Sequence, residues 1–123
     1  MTGRTFGTVA ALAAAVGESL GHSSWILVDQ LRIDRFAEAT GDHDWLHVDP
    51  VRAADGPYGG TIAHGFLTLS LVAPVVAEVV QVDEPSTRVN YGLERVRFLR
   101  GVPAGSRVRG HVTVAAAERT DQG

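Results

Sequence analysis

The long apolar run Phe66–Val82 most constrains what the chain can fold into. Leu67, Leu71, Pro74, Val75, Glu78 and Val79 continue a helical spacing, which predicts one long helix over 61–82. Its apolar face is too wide for a helix resting on a surface, so it must be embraced on most sides by a sheet. Thr68, Ser70, Pro74, Glu78 and Gln81 interrupt the run, so it reads as a buried helix and not as a membrane span. Pro74 is expected to kink it rather than end it.

The rest of the chain supplies that sheet. Ser24–Val28 is short, branched and aromatic and reads as a strand. Arg88–Arg100 alternates with a phase slip near Gly92, and Arg107–Ala115 alternates cleanly. GVPAGS between them reads as a hairpin connection. Thr8 is placed to cap a first helix with Gly17 just past its end. Asp29 is placed to cap a second, whose inward face is Ile33, Phe36, Ala37 and Thr40 and which Gly41 stops. The predicted class is α+β: one domain spanning residues 1–123, with antiparallel strands around a long helix.

The bulk numbers exclude several functions. With 123 residues and a formal charge of -3, the chain lacks the basic face that nucleic acid requires. All eleven basic residues other than histidine are arginine. The absence of cysteine removes disulfides, thiolate catalysis and cysteine-based zinc sites. The apolar stretch Val9–Val16 is too short to span a bilayer and lacks the flanks of a secretory leader. A cytoplasmic protein is expected.

Residues 41–60, GDHDWLHVDPVRAADGPYGG, read as a polar loop with a brief helical turn after Asp49-Pro50. Asp42 follows a helix-stopping glycine and His47 comes five positions later. A carboxylate accepts hydrogen bonds and a neutral imidazole accepts or donates. Together they can hold a water, take its proton and return a proton to a neighbouring carbon. Gly65, at the start of the long helix, would offer a backbone N–H to a carbonyl oxygen gaining negative charge.

FAEATGDHDWLHVDP resembles the signature of MaoC-like (R)-specific enoyl-CoA hydratases, and IAHGFLTLSL resembles their His-Gly opening of the hot-dog helix. NYGLERVRF and GVPAGSRV resemble the strand–turn–strand that follows. The resemblance runs from about Leu20 to Val114 and implies a homodimeric hot-dog fold. It implies reversible hydration of trans-2-enoyl thioesters, or dehydration of (R)-3-hydroxyacyl thioesters, in fatty acid metabolism. The substrate would be carried by coenzyme A or acyl carrier protein, with no cofactor and no metal. It makes Asp42 and His47 the catalytic pair and Gly65 the oxyanion donor, while Tyr58, His64, Ser70 and Arg97 are candidate substrate-binding residues. Where the signature has Asn-Pro, this chain has Asp44-Trp45. The family also continues for two more strands, so a fold lacking them is expected, with Asp121-Gln122-Gly123 resembling the turn before them.

Each residue has a plainer reading. Asp42 after glycine suits a turn that bonds its own backbone, and His47 could be a core histidine. His43, His47, Asp42, Asp44 and Asp49 offer metal ligands, although Gly41, Trp45 and Pro50 argue against the helix that His43 and His47 would need. His64 could brace the loop, Tyr58 could anchor it, and Arg95, Arg97 and Arg100 could be solvated rather than meet phosphates. Trp25 and Phe36 read as core. A hot-dog thioesterase and a non-catalytic partner or fragment of a hydratase are the alternative functions.

Overall fold

A computed structural model describes residues 3–84 and 87–120. The chain divides into two compact units: residues 1–24, 73–93 and 109–123 form one, and residues 25–72 and 94–108 the other.

In the first unit, strand β1 (Arg4–Thr8) leads into helix α1 (Val9–Ala13). The Thr8 hydroxyl accepts the Ala11 N–H at 3.2 Å, the expected cap. Gly17, beyond the helix, has φ of 88°, a conformation that suits glycine. Strand β2 spans Ser19–His22 and pairs antiparallel with a strand at the far end of the described chain, His111–Thr113. The core is Phe6, Ala15, Leu20, Val79 and Val80.

In the second unit, strand β3 is Ile26–Val28, two residues shorter at its start than the sequence suggests. The Asp29 carboxylate accepts the Arg32 N–H at 2.9 Å and opens helix α2 (Gln30–Thr40). Gly41 closes it at φ of 83°, with its N–H on the Ala37 carbonyl at 2.8 Å. Two short helices follow, α3 (Trp45–Val48) and α4 (Pro50–Ala54). Val28, Ile33, Ala63, Leu67 and Leu71 form this unit's core. Complete burial of a side chain such as Ile33 contributes about 1.5–3 kcal/mol.

The helix expected over 61–82 is two helices, α5 (Gly65–Ser70) and α6 (Val72–Val79), and strand β4 (Val80–Glu84) follows directly. The break at Leu71 has a covalent cause. Pro74 has no N–H for the Ser70 carbonyl, and its ring crowds that carbonyl, but proline is tolerated in a first turn. A fresh helix starting at Val72 places it there. Residues before Gly65 are extended because they pair elsewhere: Ala63 N–H donates to Val102 O at 2.8 Å and Ala104 N–H to Thr61 O at 3.0 Å.

Strand pairing is also less uniform than an all-antiparallel sheet. β4 runs parallel to β1, with Arg4 opposite Val80 and Phe6 opposite Val82. A parallel pair needs a long crossover, which everything between Thr8 and Val80 provides. The alternating run 107–115 contributes to two strands, β5 (Ser106–Val108), antiparallel to β3, and β6 (His111–Thr113), antiparallel to β2. Gly110 lies between them, where a Cβ would fall 2.2 Å from a Val75 methyl. Arg88–Arg100 forms no strand among the described residues, and Val89, Tyr91, Leu93, Phe98 and Leu99 are exposed. The residues compared with a terminal turn, Asp121-Gln122-Gly123, lie outside the described ones. No described helix is long and apolar enough to cross a membrane.

Candidate active site

The capping that shapes residues 41–54 is local. Asp42 Oδ1 accepts the Asp44 N–H at 3.3 Å, so the plain turn-forming reading of Asp42 is realised alongside its exposure to solvent. Asp44 accepts the Leu46 N–H at 3.0 Å and caps α3, and Asp49 accepts the Arg52 N–H at 3.0 Å and caps α4, whose first residue is Pro50. Trp45 lies with the Arg52 guanidinium 4.4 Å above its ring, and its ring also closes on Gly56. Asp44-Trp45 thus fixes by capping and stacking a turn that Asn-Pro would fix covalently.

His47 therefore sits on a helical turn and not on an extended loop. Its Nδ1 lies 2.7 Å from the Ile62 carbonyl. A carbonyl only accepts, so Nδ1 carries the hydrogen, and in the neutral ring Nε2 is the bare acceptor. His43 is outside α3 and turns to Glu38, 3.6 Å away, so the two histidines share no helix face.

Asp42, His47 and His64 come together: one carboxylate oxygen and one ring nitrogen from each histidine all lie within 4.8 Å of one another. His64 is 2% exposed and stacks on His47, with centroids 4.0 Å apart and planes 28° apart. The Phe36 ring packs against His64 at 4.9 Å. The donor set suits a divalent metal by type, yet the stacking opposes it. Metal–imidazole bonds of about 2.0–2.1 Å lie in the ring plane, and rings stacked face to face are poorly aimed at one shared ion. The arrangement suits proton transfer between neutral and charged partners.

Gly65, half-buried, is the first residue of α5, where N–H groups lack intrahelical acceptors. A Cβ there would meet the Phe98 ring at 2.8 Å, so glycine is required for that ring's close approach. α5 has only six residues, so polarisation at its start would come from individual N–H groups more than from a long helix dipole.

The other candidates are engaged elsewhere. The Ser70 hydroxyl donates to its own helix at Phe66 O, 2.7 Å, and the Arg97 guanidinium to Val96 O, 3.0 Å. Tyr58 is exposed and lies against Gly101, the loop-anchor reading. Trp25, read as core, is exposed, while Phe36 packs against the second core as expected. Sequence reasoning missed Gln30. Its Nε2 donates to the His47 carbonyl at 2.8 Å and to Asp34 at 2.9 Å, and its Oε1 accepts from Thr61. This ties α2 to both segments of the site; a polar residue at the first position of a helix gave no distinguishing signal. Beside the site runs an open groove of about 490 Å³, lined by Leu27, Leu31, Phe36 and Leu67, with Asp29, Arg32 and Arg35.

Known proteins resemble this chain in sequence and in fold. The MaoC like domain matches residues 11–123. The 3-hydroxyacyl-thioester dehydratase Z of Mycobacterium tuberculosis is 49% identical over 98% of this chain and 80% of its own length. Nodulation protein N of Rhizobium leguminosarum bv. viciae is 48% identical over 90% of this chain and 70% of its own. Among solved structures, an (R)-hydratase from A. caviae involved in PHA biosynthesis superposes with a TM-score of 0.67 and 26% identity, covering 86% of this chain and 75% of its own. An unliganded R-hydratase from Pseudomonas aeruginosa gives 0.64 and 27%, covering 78% of this chain. This chain spans 58% of that hydratase and 61% of a matched Archaeoglobus fulgidus protein. The chain belongs to the MaoC-like family of hot-dog hydratases and dehydratases.

Proposed function

We propose that this protein is a lyase that reversibly hydrates trans-2-enoyl thioesters to (R)-3-hydroxyacyl thioesters, with Asp42 and His47 as its catalytic pair. The observation that carries this reading is the convergence of the Asp42 carboxylate and the His47 ring, joined by His64, within 4.8 Å. The dehydratase and (R)-hydratase names of its relatives support the same reaction class.

In the hydration direction, the Asp42 carboxylate holds a water and His47 Nε2 takes one of its protons as the oxygen bonds to C3. The C2–C3 π pair moves toward the thioester carbonyl, whose oxygen gains negative charge and meets the Gly65 N–H. The imidazolium then gives its proton to C2, which restores the carbonyl and the neutral ring. Nε2 is the nitrogen for this exchange because Nδ1–H is committed to Ile62. The apolar side of the groove suits an acyl chain, and Arg32 and Arg35 are better placed along it than Arg97 to meet a carrier's phosphates. The carrier is coenzyme A or acyl carrier protein, which is the ground for expecting a cytoplasmic enzyme. A second copy is expected to cover exposed side chains such as Tyr91 and Leu99.

Crotonyl-CoA tests the reading. Loss of the enoyl absorbance without release of free thiol is the expected result. Free thiol would instead assign a thioesterase, and no turnover a non-catalytic partner.

A further inference from the structure

We propose that His64 is a positioning residue of this site, fixing both members of the catalytic pair; the inference rests on the hydratase reading above. Neither a substrate-binding role nor a general loop brace accounts for its surroundings as well. His64 is 2% exposed, and its Nε2 lies 3.0 Å from the Asp42 backbone carbonyl, not from a side chain. That carbonyl only accepts, so Nε2 carries the hydrogen. One face of the ring stacks on His47 at 4.0 Å, and the Phe36 ring closes on it at 4.9 Å.

One side chain therefore acts on both functional residues by different means: a directional hydrogen bond sets the backbone of Asp42, and a flat contact sets the plane of His47. Stability alone accounts poorly for a polar ring here, because its one bond to Asp42 is offset by an unpaired nitrogen. In the neutral ring, Nδ1 is a buried acceptor, and it is the one fully buried side-chain nitrogen or oxygen among the described residues with no hydrogen-bond partner. Leaving such an atom unpaired costs about 1–3 kcal/mol. Retaining a histidine despite that cost is explained if both its Nε2–H and its flat face are needed.

Two variants separate the two contacts. His64→Phe keeps a ring to stack on His47 and removes the donor to Asp42. His64→Gln keeps an N–H at similar reach and removes the ring. With crotonyl-CoA, each folded variant is expected to lose tenfold or more in kcat with KM within about twofold, because proximity losses fall on the chemical step. The double exchange, His64→Phe with Asp42→Asn, is expected to fall little below Asp42→Asn alone, since both changes act through Asp42. A folded His64→Phe and His64→Gln that both retain wild-type kcat would overturn the proposal.

A second measurement does not depend on turnover. Long-range nitrogen–proton NMR of the wild type is expected to show His64 as the Nε2–H tautomer and His47 as the Nδ1–H tautomer at a pH where both are neutral. The opposite tautomer at His64 would remove the bond to Asp42 and with it the proposal. If the wild type turns over no enoyl thioester while both tautomers are as stated, the hydratase reading falls and the hold of His64 on Asp42 stands.

Discussion

Two pairs of stacked histidines occur in this molecule, and they differ in almost everything except the residue type. His47 and His64 stack at 4.0 Å in the second unit; His22 and His111 stack at 4.5 Å in the first, opposite one another on β2 and β6. Backbone carbonyls set the hydrogen positions of the first pair, and one of its rings is almost wholly enclosed. Both rings of the second pair are exposed, and His111 bonds the Ser19 hydroxyl, a partner that rotates and both donates and accepts. A carboxylate joins the first pair; at the second, desolvation, then the charge of Arg109, then His111 push the His22 pKa below its ordinary value. A histidine becomes a candidate catalyst when its surroundings choose its tautomer and supply a carboxylate, and a stacked partner alone achieves neither.

The comparison is most sharply broken by mutation. Asp42→Asn or His47→Ala is expected to lower kcat for an enoyl thioester by about two orders of magnitude or more, the range of general acid–base groups. His22→Ala and His111→Ala are expected to leave kcat within about twofold. Steady-state kinetics on the four proteins decides it; equal losses from both pairs would erase the distinction drawn here.

A smaller effect is expected in stability, at the glycines near each pair. In the first unit, a Cβ at Gly110 would strike the β-branched Val75, which is buried and stiff, whereas at Gly65 it would meet the half-exposed Phe98 ring. Gly110→Ala is expected to destabilise by about 3 kcal/mol and Gly65→Ala by about 1 kcal/mol, the span of overpacking costs. Phe98→Ala should rescue most of the Gly65→Ala loss. Denaturant melts of the single and double variants measure both, and the reverse order would show that Val75 yields more readily than Phe98.

The smallest effect is in acid. A histidine whose folded pKa lies below its unfolded value binds its proton more readily when unfolded. Its contribution is intact above the unfolded pKa of about 6.5 and is lost as pH falls through the lowered folded value. Glu78 behaves likewise in a more acid window, because the Ser24 hydroxyl and then the Ser24 N–H hold its carboxyl below the ordinary range. Stability followed from pH 7 to 5 should fall less steeply in His22→Gln than in the wild type.

Much of the site could be read from the residues because its cues are local. Asp29, Gly41 and Asp49-Pro50 act within a turn of where they stand, and Asp42 and His47 are five residues apart. The turn carrying His47 is not legible in the sequence: four residues cannot show a period, and the flanking glycine and proline are signals that stop a helix. The missed parallel pair has a similar cause, since RTFGT offers Phe6 as its only large apolar residue and says nothing of β4. Arg88–Arg100 shows the opposite failure. Alternation records the capacity for a strand, but a strand needs a neighbour to bond, and the described residues offer it none. Gln30 matters through contacts across the fold that no pattern in the chain announces, and the His-Gly motif singles out His64 without showing what it touches.

The bond from His47 Nδ1 to Ile62 has a stereochemical reach beyond holding a ring still. With that edge occupied, the imidazole meets its reactant through one nitrogen, on one side. In the proposed reaction the proton is collected and handed back from that same side, so the new C–O and C–H bonds form on a single face of the former double bond. A backbone carbonyl that never touches the substrate would thereby be written into the relative placement of the two new bonds, which a deuteron delivered to C2 would record.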